Sequence, residues 1–330
     1  MNKCLVTKLN GSVTNNDTLL KVGEMRIKIL PVAVKNDATQ MLSIGVSNPT
    51  KLDIIGNAYF TDKLLSENKG KSITIQNNNV PVFVSDSCEI SILYKYNIKS
   101  LDIHYNGQTS PIYAKNKEFS LDSLEYSTQT AFLNIHDTQV SGDISALKNL
   151  TGLTVLELGN TQVSGDISAL KNLTGLTILG LSNTQVSGDI SALKNLTGLT
   201  TLGLSNTQVS GDISALKNLT GLTTLGLSGL NEISGPISDI PDSVLFISNA
   251  KGSSVFTWKD TNRKYILALE KIHCSNIDKL LIDMSKLEAK FKDDNVYSKK
   301  IGLIGTRTSA SDEAVATLQS KGYTVSVTPA

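Results

Sequence analysis

Cysteine, tryptophan and histidine are all scarce in this chain of 330 residues, and each scarcity removes a class of chemistry. The three cysteines, Cys4, Cys88 and Cys274, are too few, too scattered and too odd in number for a disulfide framework or a four-ligand zinc site. They read as ordinary thiols. Of the three histidines, His104, His136 and His273, only the last has a nucleophilic neighbour, Cys274. Adjacent strand residues point to opposite faces, so that pair reads as structural rather than as nucleophile and base. A surplus of one charge is missing too. With 31 Lys+Arg against 30 Asp+Glu the formal net charge is +1, and no basic block invites nucleic acid or an anionic membrane. No apolar run approaches the ~18 residues that cross a bilayer, and the opening MNKCLVTKLNG lacks the apolar stretch of a secretory signal. The expectation is a chain made in the cytoplasm, with no membrane insertion and no cofactor.

Repetition, by contrast, is abundant. The stretch TQVSGDISALKNLTGLTTLGLSN, Thr184 to Asn206, recurs almost letter for letter from Thr138, Thr161 and Thr207, a period of 23 residues. Leu196, Leu199, Leu202, Leu204 and Thr207 spell LxxLxxLxLxxT, in which the central LxL has the alternation of a strand with both leucines turned inward. Period and pattern resemble the leucine-rich repeat, a unit that cannot bury its leucines alone and gains its core by stacking. The threonines Thr138, Thr161, Thr184 and Thr207 stand where that family's Asn or Cys stands, and are expected to form a hydroxyl ladder against neighbouring backbone. VSGDIS places Val209 and Ile213 inward around a glycine turn. SALKNL starts a brief helical turn, capped by Ser191 or its equivalents.

The repeats divide the chain. Residues 1–94 carry short β-type runs, GEMRIKIL, MLSIGV, KLDIIGNAYF, KSITIQ, VPVFVS and EISILY, separated by Asn, Asp, Gly and Ser. They are expected to form an antiparallel all-β domain, a small sandwich serving as an attachment module. Residues 95–250 form the solenoid, with near-identical units over 138–229 and degenerate strands around Leu101 and Leu133 that miss the period. Residues 251–330 mix a helix around Ile277 to Phe291, the strand KIGLIG, a helix with a Ser/Asp start and a Lys-Gly stop, and a final strand. This is a small α/β cap of the kind solenoid ends require. The predicted architecture is therefore a β-rich leucine-rich-repeat solenoid with short parallel strands and an irregular or 3-10 convex side, flanked by these two regions.

Two finer resemblances follow. TQVSGDIS, and NEISGPIS at Asn231 to Ser238, resemble the NxLSGxIP tract of the plant-specific repeat class, with serine replacing the usual proline and a period one residue short. FTWKDTNRKYILALE and GTRTSASDEAVATLQSKGYTVSV resemble the C-terminal signature of leucine-rich-repeat proteins from gut-commensal bacteria and their phages. That resemblance implies a virion-associated or tail-associated setting.

No enzymatic constellation emerges. GLIGTRTSAS has the outline of a phosphate loop but lacks both GxGxxG and the GxxxxGK[ST] lysine, so it reads as a turn and helix cap. The column Asp143, Asp166, Asp189, Asp212 lacks the converging oxygens calcium needs and is expected to be a solvated row balanced by Lys148, Lys171, Lys194 and Lys217. The binding candidate is the concave face, whose outward positions form three rows. The first is Phe132, Val155, Ile178, Thr201 and Thr224. The second is Asn134, Glu157, Gly180, Gly203 and Gly226; the third is His136, Gly159, Ser182, Ser205 and Ser228. Diversity lies in the early strands, whereas the later Thr, Gly and Ser are equally well explained by recent duplication. A protein of a virion, tail or cell surface is the first-choice partner, with a glycan, for which the glycine row leaves room, as the second. Trp258 is either an interface anchor or a cap over the end of the core. The rival to a binding protein is a spacer whose repeat number sets its length.

Overall fold

The computed structural model describes residues 120–125, 127–290 and 299–330, together with the backbone of the strands between 25 and 118 and the buried side chain Leu101. Strands β1 (Met25–Ile29), β2 (Gln40–Val46), β3 (Thr50–Phe60), β4 (Ser72–Ile75) and β5 (Val80–Ile92) lie on the β-type runs, with VPVFVS and EISILY joined in one strand. β5 pairs antiparallel with β1, β2 and β3, and β4 with β3. The described strands thus belong to one sheet, rather than to the two that a sandwich needs. β6 (Ile98–Asp102) runs antiparallel to β2, and β7 (Lys117–Glu118) lies beside β1.

Each following repeat supplies two strands. These are β8 (Phe132–Asn134) and β9 (Ser141–Asp143), β10 (Val155–Glu157) and β11 (Gln162–Asp166), then β12 (Ile178–Gly180) and β13 (Gln185–Asp189). β14 (Thr201–Gly203), β15 (Gln208–Asp212), β16 (Thr224–Gly226) and β17 (Glu232–Pro236) continue the series. The even-numbered members stack in parallel as an inner sheet, the odd-numbered ones as a side sheet. β6 pairs in parallel with β8, Leu101 opposite Leu133, so the off-period interval still stacks in register. Within one unit Val186, Ile190, Leu193, Leu196, Leu199, Leu202 and Leu204 are completely buried, each contributing about 1.5–3 kcal/mol.

Between side strand and inner strand the chain makes a 3-10 turn, as at Ile190–Leu193. Its cap is Asp189, not Ser191: the carboxylate accepts the Ser191 N–H at 2.7 Å, and Asp143, Asp166 and Asp212 do the same. An aspartate in extended conformation just before the turn can reach the exposed N–H two residues on; a serine already inside the turn cannot. The Ser168 and Ser191 N–H and hydroxyl groups hold Asp166 and Asp189 below the usual carboxylate range. Among the described residues no ion pair joins this column to Lys148, Lys171, Lys194 or Lys217, which corrects the expected charge row. The aspartates also explain the preceding glycines. Gly188 has φ +101°, and a Cβ there would lie 2.6 Å from an Asp166 carboxylate oxygen. The glycine of each unit makes room for the cap of the unit before.

At the C-terminal end the inner sheet stops at β16 and the side sheet runs on from β17 into the cap. β18 (Phe246–Ser248) and β19 (Val255–Thr257) pair with the first and last parts of β20 (Ala268–Cys274), which also pairs with β21 (Lys300–Ile304), itself beside β22 (Thr324–Thr328). α1 (Ile277–Ser285) stops short of Phe291, and α2 (Asp312–Ser320) ends at Lys321 and Gly322, the latter with φ +87°. Trp258 is 1% exposed, its indole N–H donating to Asp283 at 3.2 Å, so it covers the core and offers no surface to a partner. Arg263 is buried as well. Its guanidinium donates to the carbonyls of Ile240, Pro241, Val244 and Tyr265 at 2.5 to 3.2 Å, stitching the 240–244 turn to the cap. Burial pushes that group down to about 10, against the pull of Asp242, so it stays cationic at neutral pH.

Two outcomes test this interlock. Gly188→Ala is expected to destabilise the chain by about 1–3 kcal/mol in urea denaturation, because alanine is strained at that φ and meets Asp166. The depressed aspartates contribute stability that is full above the ordinary aspartate value near 3.9 and is lost as pH falls below it through their lowered native values. Asp189→Asn, a cap without a charge, is expected to flatten the acid limb of the stability curve measured between pH 5 and pH 2.

Candidate functional site

The inner sheet exposes what its leucines do not use. Leu156 and Leu179 are completely buried, whereas Val155 and Ile178 beside them are half-buried and face outward. Register aligns Phe132 with Val155, Val155 with Ile178, then Thr201 and Thr224, so the first row is a true column across adjacent strands. Its first three members form an apolar stripe. β6 extends the columns at the backbone level, with Ser100 opposite Phe132 and Asp102 opposite Asn134.

The second row is less open than a run of glycines implies. Asn134 is 9% exposed and Gly180 is buried, because the Glu157 side chain folds across the space a side chain at Gly180 would take. The bare floor is confined to Gly203 and Gly226, where the Ser182 and Ser205 hydroxyls stand 3.1 Å from the Cβ position. This narrows the expected glycan-accessible row. In the third row His136, Ser182, Ser205 and Ser228 are half-buried. His136 Nδ1 lies 2.7 Å from the Asp137 carboxylate.

Asp137 begins a side-chain ladder one residue before the threonines expected to form it. Asn160 donates its amide N–H to Asp137 at 2.8 Å, Asn183 to Asn160 at 2.7 Å and Asn206 to Asn183 at 2.7 Å. All four have φ between +54° and +57°, the left-handed region that asparagine and aspartate tolerate better than most residues. The neighbouring threonines stay within their own repeat, Thr184 donating to the Leu181 carbonyl at 2.6 Å. They form no ladder because their hydroxyls point into the core, where the nearest acceptor is the carbonyl three residues back. Asn in three successive units was the available signal. Between repeats, a different threonine column does bond backbone, Thr177 to the Thr154 carbonyl and Thr200 to Thr177, both at 3.0 Å.

The other candidates resolve structurally. Cys274 is buried while His273 is half-buried on the opposite face of β20. In GLIGTRTSAS the Thr308 N–H and hydroxyl and the Ser311 hydroxyl donate to Asp278 at 2.6 to 3.1 Å, and these bonds hold Asp278 below its usual range. A carboxylate from α1 thus fills the position an anion would need. Among the described residues there is no cluster of metal-ligating side chains and no helix long and apolar enough to cross a membrane.

Residues 151–195 match the family of leucine-rich repeats, in two copies. The chain contains leucine-rich repeats. No curated protein matches it. Among solved structures it is similar to the ectodomain of the receptor kinase GASSHO1/SCHENGEN3 of Arabidopsis thaliana, solved with CASPARIAN STRIP INTEGRITY FACTOR 2. The identity is 22% over 64% of this chain and 26% of that one, with a TM-score of 0.43. It is similar also to two internalins of Listeria monocytogenes. Internalin C2 shows 20% identity over 72% of this chain and 82% of its own, with a TM-score of 0.40. The internalin inlF shows 22% identity over 72% and 85%, with a TM-score of 0.36. The chain spans about a quarter of the plant ectodomain's length.

The ladder makes a quantitative prediction. Asn183→Ala, which loses both side-chain bonds and strains the left-handed backbone, is expected to cost about 2–4 kcal/mol in urea denaturation. Asn183→Gly, which loses only the bonds, is expected to cost less, and equal losses would show that backbone strain plays no part.

Proposed function

We propose that the chain is a non-enzymatic binding protein that docks a protein partner on the N-terminal part of its inner sheet. One observation carries this reading. The half-buried column Phe132, Val155, Ile178 runs unbroken across three strands beside Glu157 and His136, and the core does not need these side chains to face outward. An apolar stripe rimmed by polar groups is the composition of an interface centre. Thr201, Gly203, Thr224 and Gly226 continue the surface as a plain floor on which an extended segment can lie. Residues 1–94, whose side chains lie outside the described residues, are assigned the attachment role, and the setting implied by the C-terminal resemblance makes a virion, tail or surface protein the partner to look for. The spacer is the competing reading, in which no face binds and length alone matters.

Purified full chain, immobilised, is to be exposed to lysate of its producing cells and to purified phage particles, with captured proteins identified by mass spectrometry. The expected result is one protein retained by the native chain, lost with Phe132→Ser combined with Ile178→Ser, and kept by Thr224→Ser. Deletion of residues 184–206, one whole unit, is expected to leave capture through the early strands intact. Capture unaffected by the double substitution would sink the inner-face reading. Particle assembly that responds to the deletion, with no capture by any variant, would establish the spacer instead.

A further inference from the structure

Two columns of asparagine run along the solenoid, and they differ in one respect that bears on chemistry. Asn160, Asn183 and Asn206 are locked in the ladder, their amides engaged as donors, and each is followed by Thr-Gln. The second column, Asn149, Asn172, Asn195 and Asn218, stands in the turn that follows each 3-10 helix, and each is followed by Leu-Thr. All four are exposed. Among the described residues no hydrogen bond engages their side-chain amides. Leu150, Leu173, Leu196 and Leu219 between them are completely buried, while Thr151, Thr174, Thr197 and Thr220 are exposed again. An exposed amide and an exposed hydroxyl thus flank each buried leucine.

Asn-x-Ser/Thr, with x other than proline, is the acceptor pattern for attachment of a saccharide to the asparagine amide. We propose that Asn149, Asn172, Asn195 and Asn218 are glycosylation sites. The saccharide arrives activated at its anomeric carbon, as a lipid-linked pyrophosphate or a nucleotide sugar. The Asn Nδ2 forms the new C–N bond, the C–O bond to the phosphate breaks and the phosphate-bearing carrier leaves. One amide proton passes to a base of the transferring enzyme.

Four copies of one tripeptide follow from duplication of the repeat, so their number adds nothing by itself. What distinguishes the column is an exposed amide that no hydrogen bond holds, with an exposed threonine hydroxyl two residues on. The ladder asparagines are exposed and lie in turns as well, but their amides are bonded from repeat to repeat and the residue two positions on is Gln. The sites lie off the three outward rows of the inner sheet, so a glycan there leaves that sheet uncovered. The inference therefore stands apart from the proposed binding face.

The test uses the chain isolated from the cells that produce it. Trypsin cuts after Lys148, Lys171, Lys194 and Lys217, so each acceptor becomes the first residue of its own peptide, and the peptides differ in composition. The expected result is an intact mass above the 35.4 kDa of the unmodified chain by whole saccharide steps. Fragmentation that preserves the glycan places it on Asn172 and not on Asn183 of the same peptide. Thr174→Ala, which leaves Asn172 in place and touches no buried group, is expected to abolish modification of that peptide alone. An unmodified intact mass overturns the proposal. So does a saccharide on ladder asparagines or on hydroxyls, or one that persists at Asn172 in the Thr174→Ala variant.

Discussion

In a stacked unit every residue must suit its counterpart one period away, and the tightest case is the packing of each SGD glycine against the aspartate of the preceding repeat. The carboxylate that caps one 3-10 turn occupies the space a side chain would need in the next unit, at Gly165, Gly188, Gly211 and Gly235 alike. The aspartate needs the glycine for room, and the glycine needs its positive φ to present the next side strand. Neither can change alone. The asparagine ladder and the threonine-to-carbonyl bonds impose the same demand at two further places around the turn. Near-identity of repeats is the simplest way to meet three such conditions at once, which answers for the monotony without any appeal to a ligand.

A lattice of this kind has no natural end, and the two termini solve the problem differently. At the C-terminal side the inner sheet ends at β16 while the side sheet runs on through β19 into β20, where Trp258 and Phe256 are buried. Arg263 replaces the missing next repeat as hydrogen-bond partner for the carbonyls of the 240–244 turn. A buried cation is tolerated there because several carbonyl oxygens and Asp242 surround it. Toward the N-terminus the inner sheet continues from β8 through β6 into antiparallel partners. Pairing reverses direction there, so the parallel series is terminated by a strand of the opposite sense.

Function, on this view, belongs where the repeats stop being identical. Lattice contacts specify the leucines, the SGD glycines, the aspartate caps and the ladder, and they leave free only the outward positions of the inner strands and the exposed turns. Phe132, His136 and Glu157 differ from their later counterparts at outward positions of the inner sheet, and Asn134, at the head of the second row, is buried. Glu157 shows that such freedom still has local consequences, since its side chain takes the space above Gly180 and divides the inner face into a chemically varied part and a plain part.

The leucine spacing and the period were enough to determine the solenoid, its inner parallel strands and its inward residues, because burial of a periodic apolar set has one solution at each strand, whereas VSGD, expected as a glycine turn, is the side strand of each unit. The Lys-Gly stop of α2 and the opposite faces of His273 and Cys274 were equally legible, being settled by neighbours in sequence. Others depended on partners 23 residues away. Whereas the Asp189 cap in place of Ser191 is a bond two residues long that the extended backbone at Asp189 decides, the course of the ladder through Asn183 beside Thr184 and the cover of Glu157 over Gly180 turn on which atoms meet across the stack. So does the single continuous sheet that replaces a sandwich in the N-terminal strands. One-dimensional pattern specifies which side of a strand a residue takes, but a hydrogen bond or a filled space needs two atoms brought together, and only the stacked structure brings them there.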